Sequence, residues 1–231
     1  MEIVDVSKWK RKDYYEFFSN YINPYMGFVF KLDITNIIEE LEKNKKSFYG
    51  IMTYLSLKSM NDIEEFKYTY RMNEKLTYDK VICKYDNLIV SNTILKGDNS
   101  FNFTDYISYD EDINVFIDSF ELAKKNALNN TKTRKFIDGA PIYISCLPWF
   151  DFVGYYDAYM GNGCESSPKI CWGKYFNENG CYYIHYSISV NHAFQDGFHI
   201  GEFYNNLQEN IKNLKLSQGK GYLKNEKASV Y

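Results

Sequence analysis

The run Ile184-His185-Tyr186-Ser187-Ile188-Ser189-Val190-Asn191-His192-Ala193-Phe194-Gln195-Asp196-Gly197 changes its hydrophobic period part-way along. Ile184, Tyr186, Ile188 and Val190 alternate with His185, Ser187, Ser189 and Asn191, the period of two that belongs to a strand with one buried face, and His192 continues the apolar register. After Gly197 the period lengthens, with Phe198, Ile200, Phe203, Tyr204 and Leu207 on one helical face. A strand, a tight turn and a helix are therefore expected in succession. His192 stands at the strand end, where a substrate can reach its ring, and imidazole is the side chain best suited to taking a proton near neutrality. Asp196 can cap the helix or pair with a cation, and Gly197 would allow a backbone conformation closed to other residues. Read on its own, the fragment fits equally a core histidine beside an ordinary turn.

Working outward, helical spacing places helices at about 36–46, 49–64 and 110–128, and strand patterns fall at 27–34, 66–71, 87–95, 141–147, 169–176 and 181–191. The two types do not alternate regularly, so the expected class is α/β: a two-layer sandwich with helices on one face of a large mixed sheet. The four prolines mark no linker and no internal repeat is present, which predicts a single domain over 1–216. From 217 to 231 the chain becomes Ser/Gly/Lys-rich and reads as a solvated basic extension.

The formal net charge of −3 leaves no electrostatic footprint for nucleic acid or an anionic membrane. No run approaches the length of a membrane span and the N-terminus is too charged for a secretory signal, so a cytoplasmic protein is expected. The five cysteines are odd in number and form no C-x-x-C pair, which suggests neither a disulfide framework nor a zinc site. Strand parity puts His185 opposite His192, and a turn separates both from His199, so these three histidines do not read as a metal site. Aromatic residues are 19% of the chain, a surplus that fits either compositional bias or an aromatic-lined pocket for a flat, apolar molecule.

Beyond the His192-Ala193-Phe194-Gln195-Asp196-Gly197-Phe198-His199 string, several segments stand in a telling order: Lys8-Trp9-Lys10-Arg11-Lys12-Asp13, Lys31-Leu32-Asp33-Ile34-Thr35, Phe48-Tyr49-Gly50-Ile51-Met52, Ile144-Ser145-Cys146-Leu147-Pro148-Trp149 and Gly173-Lys174-Tyr175. Together they resemble the chloramphenicol acetyltransferase family up to about residue 215. The resemblance implies a homotrimer with active sites at subunit interfaces, and transfer of acetyl from acetyl-CoA, a co-substrate, to a hydroxyl of chloramphenicol, which confers antibiotic resistance. No metal is implied. By position, His192 would be the general base and Ser145 the oxyanion donor in a direct transfer without an acyl-enzyme. Asp196 would pair with Arg11 and hold the turn that orients His192. Phe17, Phe18, Phe101, Phe103, Tyr143 and Cys171 would line the acceptor site, and Lys174 and Tyr175 would meet the cofactor.

The departures from the family pattern concentrate around that acceptor site. Asn191 replaces a first histidine and Gln195 a small residue or cysteine. Phe18 keeps the ring of a tyrosine that packs on the imidazole but loses its hydroxyl. Tyr143 replaces an asparagine, Phe103 a small residue, and Cys171 a threonine that assists the oxyanion through water. Ser47 replaces a lysine, with Lys45 and Lys46 near enough to meet a CoA phosphate. A pocket of these aromatics favours an uncharged aromatic acceptor over a sugar. Two other readings stay open: an acyltransferase of the same fold with another hydroxyl or thiol acceptor, as in a dihydrolipoyl acyltransferase core, and a degenerate binding protein without turnover.

Overall fold

The computed structural model describes residues 1–44, 46–129, 135–161 and 163–216. The expected extension at 217–231 and Lys45 lie outside them. In chain order the elements are β1 (Glu2–Ile3), α1 (Lys12–Phe18), β2 (Tyr25–Asp33), α2 (Thr35–Asn44), α3 (Phe48–Asn61), β3 (Tyr68–Met72), β4 (Tyr78–Lys84), β5 (Leu88–Leu95), β6 (Phe101–Phe103), β7 (Ile107–Ser108), α4 (Ile113–Asn129), β8 (Ala140–Cys146), β9 (Lys169–Trp172), β10 (Phe176–Glu178), β11 (Cys181–Asn191) and α5 (Gly197–Lys212).

β11 organises the large sheet. Its alternating pattern lets it pair along its length with β2, from Tyr183↔Asp33 to Asn191↔Tyr25, while its other edge takes β10 and then β9. The sheet continues through β8, parallel to both β9 and β5, and ends on β6 and β7, which pair with β5. The mixed α/β class stands as expected, with helices on one face of the sheet. Ile184, Tyr186, Ile188 and Val190 all lie in the core against those helices, as do Ile142 and Ile144 of β8 and Leu57 and Met60 of α3. Burying each such side chain contributes about 1.5–3 kcal/mol. Tyr186 is fully buried because its hydroxyl has a partner in Ser56, 2.8 Å away, and its ring stacks on Trp172.

Three features differ from the sequence expectation. A second, three-stranded sheet, β1-β4-β3, carries its own apolar cluster of Trp9, Tyr68, Tyr70, Ile82, Ala193 and Phe194. The strand expected over 169–176 is two strands, because the chain turns at Gly173, whose N–H donates to the His185 carbonyl. A Cβ at Gly173 would stand 3.0 Å from the Phe150 carbonyl oxygen, too close for an unstrained fit. Gly197 does not need its conformational freedom: it opens α5 outside the left-handed region, and a Cβ there would meet nothing within 4 Å.

Candidate active site

The turn after β11 is over-determined. Asn191 accepts the Ala193 N–H on its side-chain oxygen and donates its amide to the Glu165 carbonyl, while its own carbonyl accepts from Phe194 and Gln195. Phe194 is fully buried and drives the turn into the second core, with ring centroids 5.0 Å from Tyr70 and 6.0 Å from Trp9. The half-buried His192 imidazole is then fixed from two sides. Its Nδ1 lies 3.2 Å from the Gln195 carbonyl oxygen, and since a carbonyl only accepts, Nδ1 carries the proton and Nε2 keeps a lone pair. Its ring lies flat on Phe18, centroids 3.8 Å apart and planes 13° from parallel.

Arg11 and Asp196 meet as an ion pair behind the turn, Nη1 to Oδ2 at 3.0 Å. Arg11 is 5% exposed and directs Nη2 toward the His192 carbonyl at 3.4 Å, while Asp196 caps α5 by accepting the Phe198 N–H. Burial pushes the Asp196 carboxyl upward, but the hydrogen bond and charge of Arg11 and the Phe198 N–H outweigh it, so the group is held below the usual carboxylate range.

Ser145 lies elsewhere. It is directly opposite Cys171, which is directly opposite Ser187, so the three form a row across β8, β9 and β11 on the face away from the helices. Two strand spacings across and five residues along separate Ser145 from His192, on the order of 20 Å between Cα atoms, beyond the reach of both side chains together. Phe103 pairs with Thr93, one residue past the Asn92↔Ile144 pair, and so shares the level and face of Ser145. Phe101 and Phe103 meet edge-on at 5.6 Å and are 64% and 39% exposed. Tyr143 occupies the same face, its hydroxyl 2.7 Å from that of Tyr78 and 2.9 Å from that of Tyr106. Cys171 is fully buried, and desolvation pushes its thiol up to about 12.

The expected site residues thus fall into two groups on one chain. His192, Arg11, Asp196, Phe17 and Phe18 gather at the end of β11, and Ser145, Tyr143, Cys171, Phe101 and Phe103 lie on the sheet face away from the helices. The structure does not bring the two sets together. Lys174 is exposed at the turn between β9 and β10, and Tyr175 packs toward Phe48 at the start of α3. Ser47 caps that helix by accepting the Gly50 N–H, which gives the residue a local role where a lysine was expected. Lys46 donates to the Asn114 side chain. Trp149 is 60% exposed.

The sequence profile described as chloramphenicol acetyltransferase matches residues 1–208. The chain belongs to the chloramphenicol acetyltransferase family. Its similarity to curated members is low but even: 24% identity over 219 residues to the chloramphenicol acetyltransferase of Clostridium perfringens, covering 94% of this chain and 97% of that one. The Vibrio anguillarum enzyme is 28% identical over 222 residues, again 94% and 97% of the two chains. A solved chloramphenicol acetyltransferase superposes with a TM-score of 0.75 at 21% identity, covering 90% of this chain and 98% of that one. A probable dihydrolipoamide acetyltransferase from Listeria monocytogenes shares the fold alone, with a TM-score of 0.63, 13% identity and 97% coverage of both chains.

Within this family member, one residue near His192 escaped the sequence reading, and it makes two links. Glu65 accepts the Gln195 side-chain amide on its carbonyl at 2.7 Å, and its carboxylate faces His199. Neither link has a local signature, since Glu65 stands 130 residues before Gln195. The other histidines are accounted for separately: His185 meets Asp151 at 2.9 Å and stacks on Phe176, while His199 turns back onto the cap of α5. Among the described residues no group of three or more His, Cys, Asp or Glu side chains could hold a metal ion. No helix among them is long and apolar enough to cross a membrane.

Proposed function

We propose that the protein moves acetyl from acetyl-CoA to a hydroxyl of chloramphenicol or a closely similar uncharged aromatic acceptor, in a site shared between neighbouring copies of a homotrimer. The observation that carries this reading is the His192 imidazole: Nδ1 is committed to the Gln195 carbonyl, leaving Nε2 as a base, and the ring is clamped by Phe18.

In this reading Nε2 takes the proton of the acceptor hydroxyl as its oxygen attacks the thioester carbonyl. The tetrahedral oxyanion accepts a hydrogen bond from the Ser145 hydroxyl of the neighbouring copy. Collapse breaks the C–S bond, and the proton on Nε2 passes to the departing CoA thiolate, so the base returns to its starting state and no acyl-enzyme forms. The composite arrangement is supported by the separation of the half-sites, which leaves each without the other's group within one chain. Phe17 and Phe18 beside the base, with Phe101, Phe103 and Tyr143 beside Ser145, supply flat apolar walls for the acceptor. Cys171 sits next to Ser145 as a weak donor at most. In this reading Lys174 and Tyr175 would meet the CoA chain, Tyr175 from beside Phe48 at the start of α3.

The test is thiol release from acetyl-CoA with and without chloramphenicol. Release that needs chloramphenicol and falls about 10²–10⁴-fold in His192→Ala is expected. Release only with dihydrolipoamide would move the protein to the thiol-acceptor reading, and no release with either acceptor would favour a binding protein.

A further inference from the structure

His199 is 7% exposed, has no place in the transfer reaction, and makes two contacts that bear on the base. Its Nδ1 lies 3.1 Å from the Asp196 backbone nitrogen and also 3.1 Å from Asp196 Oδ1. Both cannot be hydrogen bonds at once, because the first needs a bare Nδ1 and the second a protonated one. The bare form satisfies the Asp196 N–H, for which no other acceptor is present among the described residues, and Oδ1 already accepts the Phe198 N–H. With Nδ1 bare, the ring proton is on Nε2 and faces Glu65 Oε2 at 3.6 Å, a favourable charge–dipole contact though too long for a hydrogen bond. Glu65 is itself paired with Lys10 at 2.9 Å, and Asp196 with Arg11, so the ring lies between two carboxylates that each have a cation behind them.

His199 therefore closes a reciprocal cap at the start of α5, filling the third helical position, where Glu or Gln ordinarily reaches back to the cap residue. The same few residues carry the Gln195 carbonyl that fixes the His192 tautomer, and Gln195 is tied through its side chain to the Glu65 carbonyl. We propose that His199 is a positioning residue for His192: by accepting the Asp196 N–H while facing Glu65, it holds the 192–196 turn so that the Gln195 carbonyl stays on His192 Nδ1. The inference rests on the reading of His192 as the base.

The test compares His199→Ala, His199→Gln and, as a control, Ile211→Ala, which removes buried atoms from the same helix away from the turn. With acetyl-CoA and chloramphenicol, His199→Ala is expected to lower kcat about 10–100-fold with KM changed less than about twofold, since a small misplacement of a catalytic group costs on that scale. His199→Gln, which restores the reach-back acceptor, is expected to stay within about threefold of wild type. Ile211→Ala is expected to lose Tm and keep kcat. Nitrogen-15 NMR of the three histidines reads the His192 tautomer whatever the acceptor: dominated by Nδ1–H in wild type and His199→Gln, mixed in His199→Ala. Wild-type kcat and tautomer in His199→Ala would overturn the proposal, as would failure of Gln to rescue, or an equal kcat loss in Ile211→Ala at the same drop in Tm. If His192→Ala itself keeps the wild-type rate, the base assignment falls, an outcome separate from these.

Discussion

Arg11 and Asp196 illustrate what a single pair of side chains contributes. The pair is partly dry, and Arg11 Nε is buried with no hydrogen-bond partner among the described residues, so the arrangement carries a desolvation cost. Its return is orientation, since the same guanidinium approaches the His192 carbonyl and the same carboxylate caps α5. The pair also sets a pH signature. The folded Asp196 carboxyl titrates below its unfolded value of about 3.9, so its stabilising contribution is complete above that value and is lost as pH falls through the lowered folded one. Asp196→Asn should accordingly unfold at lower denaturant than wild type near neutrality, and the gap should narrow as the pH drops below about 4. A gap that stays constant down to strongly acid pH would count against this linkage. At this scale the sequence was legible only in part. The strand alternation and the capping Asp could be read locally, whereas the Arg11 partner, 185 residues away, came only through the family resemblance. Gly197 misled because glycine often signals a special backbone, and here it does not.

α3 shows how an element's fate depends on what it packs against. It is buried on nearly all sides, so amphipathic spacing, the usual mark of a helix, is weak there, and the capping Ser47 defines its start instead. Gly50, in its first turn, would ordinarily be a target for stabilisation, since Ala in place of Gly favours a helix by about 1 kcal/mol. A Cβ at Gly50 would stand 2.9 Å from Phe120 Cδ1 and 3.0 Å from Ile117 Cδ1 on α4, both buried. Overpacking of this kind costs about 1–3 kcal/mol, so Gly50→Ala should be destabilising overall, read as a lower Tm or denaturant midpoint. A raised Tm would mean that α4 yields more easily than the packing indicates. The strands β2, β3, β5, β8 and β11 and the helices α2 to α5 were disclosed by the sequence, each within a few residues of its bounds, with the period clearest in β11, α4 and α5. α1 was not, being seven residues long with no buried residue of its own, and β4 was not, because its partner strand and second core are built from residues far apart in the chain.

For the molecule as a whole, the aromatic surplus divides between structure and surface. Trp172, Tyr186, Phe66, Phe116, Phe120 and Phe203 fill the main core, and Tyr70 and Phe194 the second, so most of the excess is packing. Phe17 and Phe101, like Tyr14, Trp149, Phe150, Tyr156 and Phe198, remain more than half exposed on one chain. If neighbouring copies complete each site, His192 of one chain works with Ser145 of the next, and the two functions become separable by mixing. His192→Ala and Ser145→Ala homotrimers should each be defective, the latter by about 2.7–4 kcal/mol in the barrier if Ser145 donates to the oxyanion. Co-expressed in equal amounts, the two variants should form mixed trimers in which every interface joining an intact His192 to an intact Ser145 is a wild-type site. Random assembly in a closed ring makes that about a quarter of all sites, so the mixture should recover about a quarter of wild-type kcat per chain. A site contained within one chain would be damaged in every copy and would give no recovery. Activity that stays at the level of the separate variants, in trimers proven to be mixed, would therefore overturn a site shared between neighbouring copies.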